Sequence, residues 1–400
     1  MRRGAWHQFG DRSQRLAREQ LDSGAGVGVI ISPRDLSFSK AQDYVPDYQS
    51  LGAEVLVDQQ FYLPAANVGK LDTYPIASER QAISQLVTAS ESTLIEMANA
   101  LRITNSALNA SAVVAPAVVY EAGRSDIEDL NQRLFLISRS VAEELGVPCY
   151  ATVFLGASTT SADTTINTAL SSATALPADG WYFAFEFDGD RIPTSSALVA
   201  RYLRAGLALA LTGLPVLHAY IGPLAPLALA CGGTGAAIGH SQNVWQFTRS
   251  RWEPTIPGGG GGDAPPRYFS LPIWGTIVYE DEWALLPQAL RDQLHTSTPF
   301  STSVNTNSPF LPWDRWTANK HLVFAICQTV QGLSDETDAE IILDEFRALL
   351  AHAVSLHEEI ADQGIPLRDD TASYQGSWRE ALLELKVNQA ADFEFLRLLA

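Results

Sequence analysis

The chain has 400 residues, 46% of them apolar and 18% charged, and a formal net charge of −18. That length and apolar content suffice for an ample core and exclude a disordered or collagen-like chain. The acidic balance excludes a protein that coats nucleic acid by bulk attraction, because its mean field repels phosphate.

Local basic patches remain: Arg2, Arg3, Arg12, Arg15 and Arg18 at the amino terminus, and Arg249 and Arg251 in TRSRW. Their plainer reading is a solvated surface in which they pair with the many acids. The amino-terminal MRRGAWHQFGDRSQRLAREQ has no apolar run behind it, so it does not read as a secretory signal. Cys149, Cys231 and Cys327 are too scattered for a disulfide framework or a zinc knuckle, which fits a reducing cytoplasm. The uncharged run from Gly206 to Cys231 is broken by Gly213, Pro215, Gly222, Pro223 and Pro226, so no membrane span is expected.

Taken in chain order, strand-length apolar runs occur at 27–32 (VGVIIS), 53–58 (AEVLVD), 112–121 (AVVAPAVVYE) and 148–156 (PCYATVFLG). They continue at 181–188 (WYFAFEFD), 215–222 (PVLHAYIG), 235–239 (GAAIG) and 269–280 (FSLPIWGTIVYE). Near-continuous apolar runs mark strands buried on both faces of a parallel sheet. Helical spacing separates them at 81–102, 125–145 and 196–212, and more weakly at 34–51, which Pro46 interrupts. Strand and helix alternating about eight times predict a (β/α)8 TIM-type barrel over 1–283. An open doubly wound sheet is the rival, but the dinucleotide glycine fingerprint is missing near the start.

The glycines at 258–262, with Asp263 and Pro265 after them, predict a flexible loop (257–266) over the mouth, and no Lys-Ser or Lys-Thr follows to make a P-loop. From 284 to 400 only helices are expected, packed on the barrel as an extension. A capping box of Thr337 and Glu340 opens one at 338–362, and a last helix covers 377–398.

Reacting groups of such barrels come from the carboxyl ends of the strands. In order these present Ser32, Arg34 and Asp35; Asp58; Tyr120, Glu121 and Arg124; Ser158; Glu186, Asp188 and Asp190; His218 and Tyr220; then His240, Ser241, Gln242 and Asn243. Paired carboxylates suit a reaction through a cationic sugar, one stabilising the oxocarbenium while the other protonates the leaving group. Asp58 and Glu186 are the preferred pair, with Asp188 sharing the inward parity of Glu186. A turn cap is the plainer reading of Asp58, a turn former that of Asp188 and Asp190, and a satisfied core residue that of His218.

No metal site is expected: His352 and His357 stand five apart on one helix and no other His, Cys and acid cluster has ligand spacing. No G-x-S-x-G elbow occurs either. Trp245, Trp252, Trp274, Trp313 and Trp316 concentrate late in the chain beside Arg249, Arg251, Arg267, Arg315, Lys320 and His321. Such a mixture stacks on a base or sugar face, although core packing is the ordinary use of tryptophan.

The segment GGTGAAIG at 232–239 resembles the Gly-Gly-x-x-x-Gly strand-end loop of the tRNA-guanine transglycosylase barrels, and VDQQFY at 57–62 is similar to that family's strand end with an aspartate and an aromatic. The resemblance implies a barrel that breaks a base–ribose bond with carboxylates and no redox cofactor, with Gly232, Gly233 and Gly235 letting backbone reach a base edge and Asp58 in the reaction centre. Gln59 and Gln60 stand where the family has a small residue and two glycines, and its zinc-binding cysteine motif is absent, so no zinc is implied.

The leading expectation is cleavage of a nucleobase N-glycosidic bond in DNA or tRNA, including a modified base in DNA, with Trp245 or Trp252 stacking in the gap of a flipped base. The alternatives are a barrel hydrolase of O-glycosides or a sugar-phosphate enzyme, and a non-catalytic binding barrel whose sign would be an occluded mouth.

Overall fold

A computed structural model describes residues 1–187, 192–253, 265–302, 304, 313–368 and 371–399. The short apolar runs are buried on both faces, and each pairs in parallel with its neighbours. The strands are β1 (Gly4–Gln8), β2 (Gly28–Ile31), β3 (Glu54–Val57), β4 (Val113–Val114), β5 (Cys149–Leu155), β6 (Gly180–Phe185), β7 (Val216–His218) and β8 (Gly235–Gly239). Their order is β3-β2-β1-β8-β7-β6-β5-β4, with β1 paired to both β2 and β8. At the seam between β3 and β4, Ser111 N–H donates to the Val55 carbonyl at 2.8 Å and the Val55 N–H donates to Ser111 Oγ at 3.0 Å. The protein is a (β/α)8 barrel.

The eight strands are not all the eight expected. The run at 269–280 forms an antiparallel hairpin outside the barrel, β9 (Arg267–Ser270) and β10 (Gly275–Val278). Its place in the ring is taken by β1, GAWHQ, whose polar His7 and Gln8 conceal it in the sequence. GAAIG is therefore the eighth barrel strand rather than the seventh.

The helices that follow the strands are α1 (Ser13–Asp22), α2 (Phe38–Ser50), α3 (Glu91–Ala107), α4 (Ser125–Leu145), α5 (Asp163–Thr174), α6 (Ser196–Ala210), α7 (Ala225–Ala230) and α8 (Arg315–Ser334), with further short helices and helical turns between them. The last lies inside the segment expected to be an extension: α8 packs on β1, β8, α1 and α7 and completes the barrel wall. With only six residues, α7 is too short to shield its strands, and α9 (Ala339–Asp362) covers it. The N-cap of α9 is Asp338, whose carboxylate accepts from Glu340 N–H, so the expected Thr337 capping box does not form. Next, α10 (Thr371–Asn388) packs on α6 and α9, and α11 (Ala390–Leu399) on α9 and α10. Among the described residues no helix is long and apolar enough to cross a membrane.

Strand parity divides the core. Trp6, Ile30, Leu56, Tyr182, Leu217 and Ala237 fill the barrel, while Ala5, Val29, Val55, Phe183 and Ile238 pack in the surrounding layer with the helices. Trp6 needs room on both sides. A Cβ on Gly28 would sit 2.5 Å from its ring, and one on Gly235 3.0 Å from its Nε1. Gly232 turns the chain into β8 with φ 82°, and a Cβ on Gly233 would meet the His218 ring at 2.8 Å.

These placements correct the expected ligand loop. Gly232, Gly233 and Gly235 stand at the start of β8, the end of the barrel opposite the one where strand-end side chains gather, and what approaches them is the protein's own packing: side chains and, at Gly233, the Ala228 carbonyl.

Candidate active site

Asp58 follows β3 directly and keeps the inward parity of Leu56. It is 1% exposed. One carboxylate oxygen, Oδ1, accepts from the Tyr62 hydroxyl at 2.5 Å and the Gln60 N–H at 2.9 Å, and Oδ2 accepts from the hydroxyls of Tyr220 at 2.6 Å and Tyr182 at 3.0 Å. Burial raises the Asp58 pKa, and these four bonds pull it part of the way back. Burial, with the charge of Asp58, also lifts all three tyrosines well above their ordinary range, so they stay protonated donors.

Gln60 and Tyr220 both have left-handed backbones, φ 51° and 53°, a conformation that a non-glycine residue keeps only when its surroundings impose it. The carboxylate ring is that surrounding. Close by, Arg80 donates to the carbonyls of Gln59 and Gln60 and lies 5.4 Å from the Phe61 ring centroid; burial lowers its pKa to about 10 while the charge of Asp58 opposes the drop.

The segment after β8 roofs this ring. Phe247 and Trp252, both fully buried, meet the Tyr62 ring edge-on at 5.0 and 4.9 Å, and Tyr62 stacks on Phe154 at 4.6 Å. The chamber of Asp58 is thus closed from above.

A second cluster lies at the ends of β4 and β6. The Glu186 carboxylate accepts from Arg249 through the backbone N–H at 2.9 Å, Nε at 3.1 Å and Nη2 at 2.6 Å, and from the Ala157 N–H at 3.3 Å. The Nη1 of Arg249 reaches Glu121, which also accepts from the Ser158 hydroxyl. Burial works against the charge of Arg249, but the bonds and charges of Glu186 and Glu121 outweigh it and hold the guanidinium pKa above its usual value. Asp58 and Glu186, expected as one acid–base pair, share no partner: the companion of Glu186 is Glu121. Asp188 and Asp190 lie outside the described residues.

A third feature is open. A groove of about 360 Å³ runs over the ends of β1, β2 and β8, lined among others by Arg34, Asp35, Asn243, Gln246, Thr248 and Arg251. Asp35, its side chain 4% exposed, accepts from Ser32 Oγ at 2.6 Å and Arg34 Nη1 at 2.9 Å, with Arg251 Nη2 at 3.4 Å. Arg251 also lies 5.7 Å from the Tyr220 ring centroid and 5.4 Å from that of Trp252.

Several expected site residues stand elsewhere. His218 points out of the barrel, where Nδ1 lies 2.6 Å from the Tyr202 hydroxyl, and burial lowers its pKa to about 3. His240 packs against His7, Nε2 to Nδ1 3.4 Å, and burial keeps it neutral. Trp245 donates its indole N–H to the Gly239 carbonyl and packs beside Gly222, so it is no stacking platform. Trp274 and Trp313 are core residues too. Arg124 is exposed and paired with Asp126, and Gln242 opens a short helical turn after β8. Tyr62, Tyr182 and Arg80 were not singled out by sequence reasoning. The even-numbered parity of Tyr182 with Ala184 and Glu186 was the one signal available for it.

Among the described residues no group of His, Cys and acids has the arrangement of a metal site. The amino-terminal Arg12, Arg15 and Arg18 pair with Asp11, Glu19 and Asp47, so they make no free basic face.

No protein-family model and no curated protein matches the sequence. Similar solved structures include a putative lyase/mutase from Burkholderia cenocepacia J2315, 16% identical, with a TM-score of 0.36 over 60% of this chain and 78% of that one. A beta-N-acetylhexosaminidase from Beutenbergia cavernae DSM 12333 is 11% identical, with a TM-score of 0.43 over 60% and 86%. A glycosyl hydrolase, a GH3 family member from Mycobacterium smegmatis str. MC2 155, is 13% identical, with a TM-score of 0.40 over 59% and 84%. At such identities and scores, any reading of activity rests on the geometry of the site itself.

Proposed function

We propose that the protein is a β/α-barrel enzyme acting on a sugar, either a glycoside hydrolase or a sugar-phosphate enzyme, with Glu186 and Glu121 as its carboxyl pair. The observation that carries this reading is the convergence of those two acids, from the ends of different strands, on the single guanidinium of Arg249. Two carboxyl groups one guanidinium apart can flank a glycosidic bond, one protonating the leaving oxygen while the other stabilises or traps the cationic sugar. Arg249 bridges the two acids and offsets one of their two negative charges. A substrate that draws the guanidinium toward one acid frees the other for proton transfer.

Cleavage of a nucleobase from DNA or tRNA has less support. The glycines that would grip the base are at the far end of β8, His218 and Trp245 face the helix layer, and Arg249 is engaged with two acids.

The test is a panel of 4-nitrophenyl glycosides and phosphorylated sugars. Glu186→Gln and Glu121→Gln should each lower kcat by about 10²- to 10⁴-fold on the substrate that turns over. Release of free base from nucleic acid, with every sugar substrate untouched, would overturn the reading.

A further inference from the structure

We propose that the groove over β1, β2 and β8 is a phosphoryl-binding site, in which Arg251 and Arg34 hold a phosphate monoester carried by the substrate. Its volume of about 360 Å³ lies in the range of small-molecule sites. Among the described residues Asp35 is the one acid between the two guanidiniums, and the other acid of the lining, Asp11, lies beside Arg12. With Arg12 counted, three guanidiniums stand against two carboxylates at this groove, on a molecule whose formal net charge is −18. That is a local reversal of the mean field, of the kind that selects an anion.

The arginine is also prepared for it. The Arg251 side chain is only 10% exposed and its Nη1 is a buried donor without a hydrogen-bond partner. Leaving such a donor unmet is unfavourable, and a small turn of the guanidinium toward an oxyanion in the groove would remove that penalty. Its guanidinium is held beside Tyr220 and Trp252, and Arg34 Nε donates to the Arg251 carbonyl at 2.8 Å, so the two cations come as one preassembled unit. Two guanidiniums from different loops suit a tetrahedral oxyanion, which can take one donor from each. Thr248, Ser250 and Asn243 add neutral polar groups around the anion.

The site adjoins the proposed chemistry. Thr248 and Ser250 line the groove while Arg249 between them reaches Glu121 and Glu186. Assigning the phosphate to the sugar rests on the carboxyl-pair reading; phosphate binding itself does not.

The test titrates inorganic phosphate into the full chain by calorimetry, with ionic strength held constant by chloride. Saturable binding is expected with Kd on the order of 1 mM, weakened about tenfold or more by Arg251→Gln and by Arg34→Gln. Arg204→Gln, on an outer crevice where it pairs with Asp163 and Glu384, should leave it unchanged. If Arg251→Gln does not fold, Arg34→Gln decides alone, since that side chain is 26% exposed. No saturable binding by roughly 50 mM phosphate, or binding indifferent to both folded variants, overturns the site. Plain glycoside turnover without phosphate binding would remove the groove and leave the carboxyl pair standing; phosphate binding without any sugar turnover would do the reverse.

Discussion

Tyr220→Phe isolates what the buried carboxylate of Asp58 requires. The variant deletes the hydroxyl that donates to Oδ2 at 2.6 Å and leaves Tyr182, at 3.0 Å, as the remaining hydroxyl donor to that oxygen. A hydrogen bond to a charged group contributes about 1.5–3 kcal/mol, and one between neutral groups about 0.5–1.5 kcal/mol. At pH 8 the loss should fall in the first range. Tyr48→Phe, which removes a buried hydroxyl donating to the neutral Gln14 carbonyl at 3.1 Å, should fall in the second.

The pH dependence carries the sharper claim. Burial, acting against the hydrogen bonds, raises the folded-state pKa of Asp58. A carboxyl group whose pKa is raised on folding favours the folded state most below its unfolded pKa of about 3.9, and stability falls as pH rises through the folded value. Removing Tyr220 raises the folded pKa further and steepens that fall. Urea unfolding of both variants between pH 4.5 and 8 is the assay. The Tyr220→Phe deficit should grow with pH while the Tyr48→Phe deficit stays level; parallel lines for the two would refute a charged acceptor at Asp58.

Two further outcomes test the packing, beside those given above for Glu186, Glu121, Arg251 and Arg34. Gly28→Ala should destabilise by about 1–3 kcal/mol, because the new Cβ lies 2.5 Å from the Trp6 ring; combined with Trp6→Phe in a double-mutant cycle it should be less than additive, and strict additivity would separate the two residues. Burial pushes the thiols of Cys149 and Cys231 up to about 12 and raises Cys327 as well. None of the three should react with a disulfide reagent at pH 8 before denaturation, and a fast-reacting native thiol would contradict their placement.

The strand-length apolar runs made the barrel legible, because a strand buried on both faces must be apolar throughout and only a closed or covered parallel sheet offers such a place. The same property hid the site. In PVLHAYIG every position is compatible with either face, so nothing in the string tells that His218 looks outward to Tyr202 while Tyr220 turns inward to Asp58. β1 was overlooked for the opposite reason. Its His7 and Gln8 are polar and find partners in Ala25 and Tyr182, which lie far along the chain.

The sequence by itself determined seven of the eight barrel strands, the (β/α)8 class and the identity of the acids at the strand ends, Asp35, Asp58, Glu121 and Glu186. All of these depend on local pattern. Only the tertiary structure decided which acids meet. Asp58 is enclosed by tyrosines 4, 124 and 162 positions away, and Glu121 and Glu186 are joined by Arg249 from another loop. The environment of a buried charge is set by whatever the closed ring brings against it, and ring closure joins parts of the chain that no short-range pattern connects.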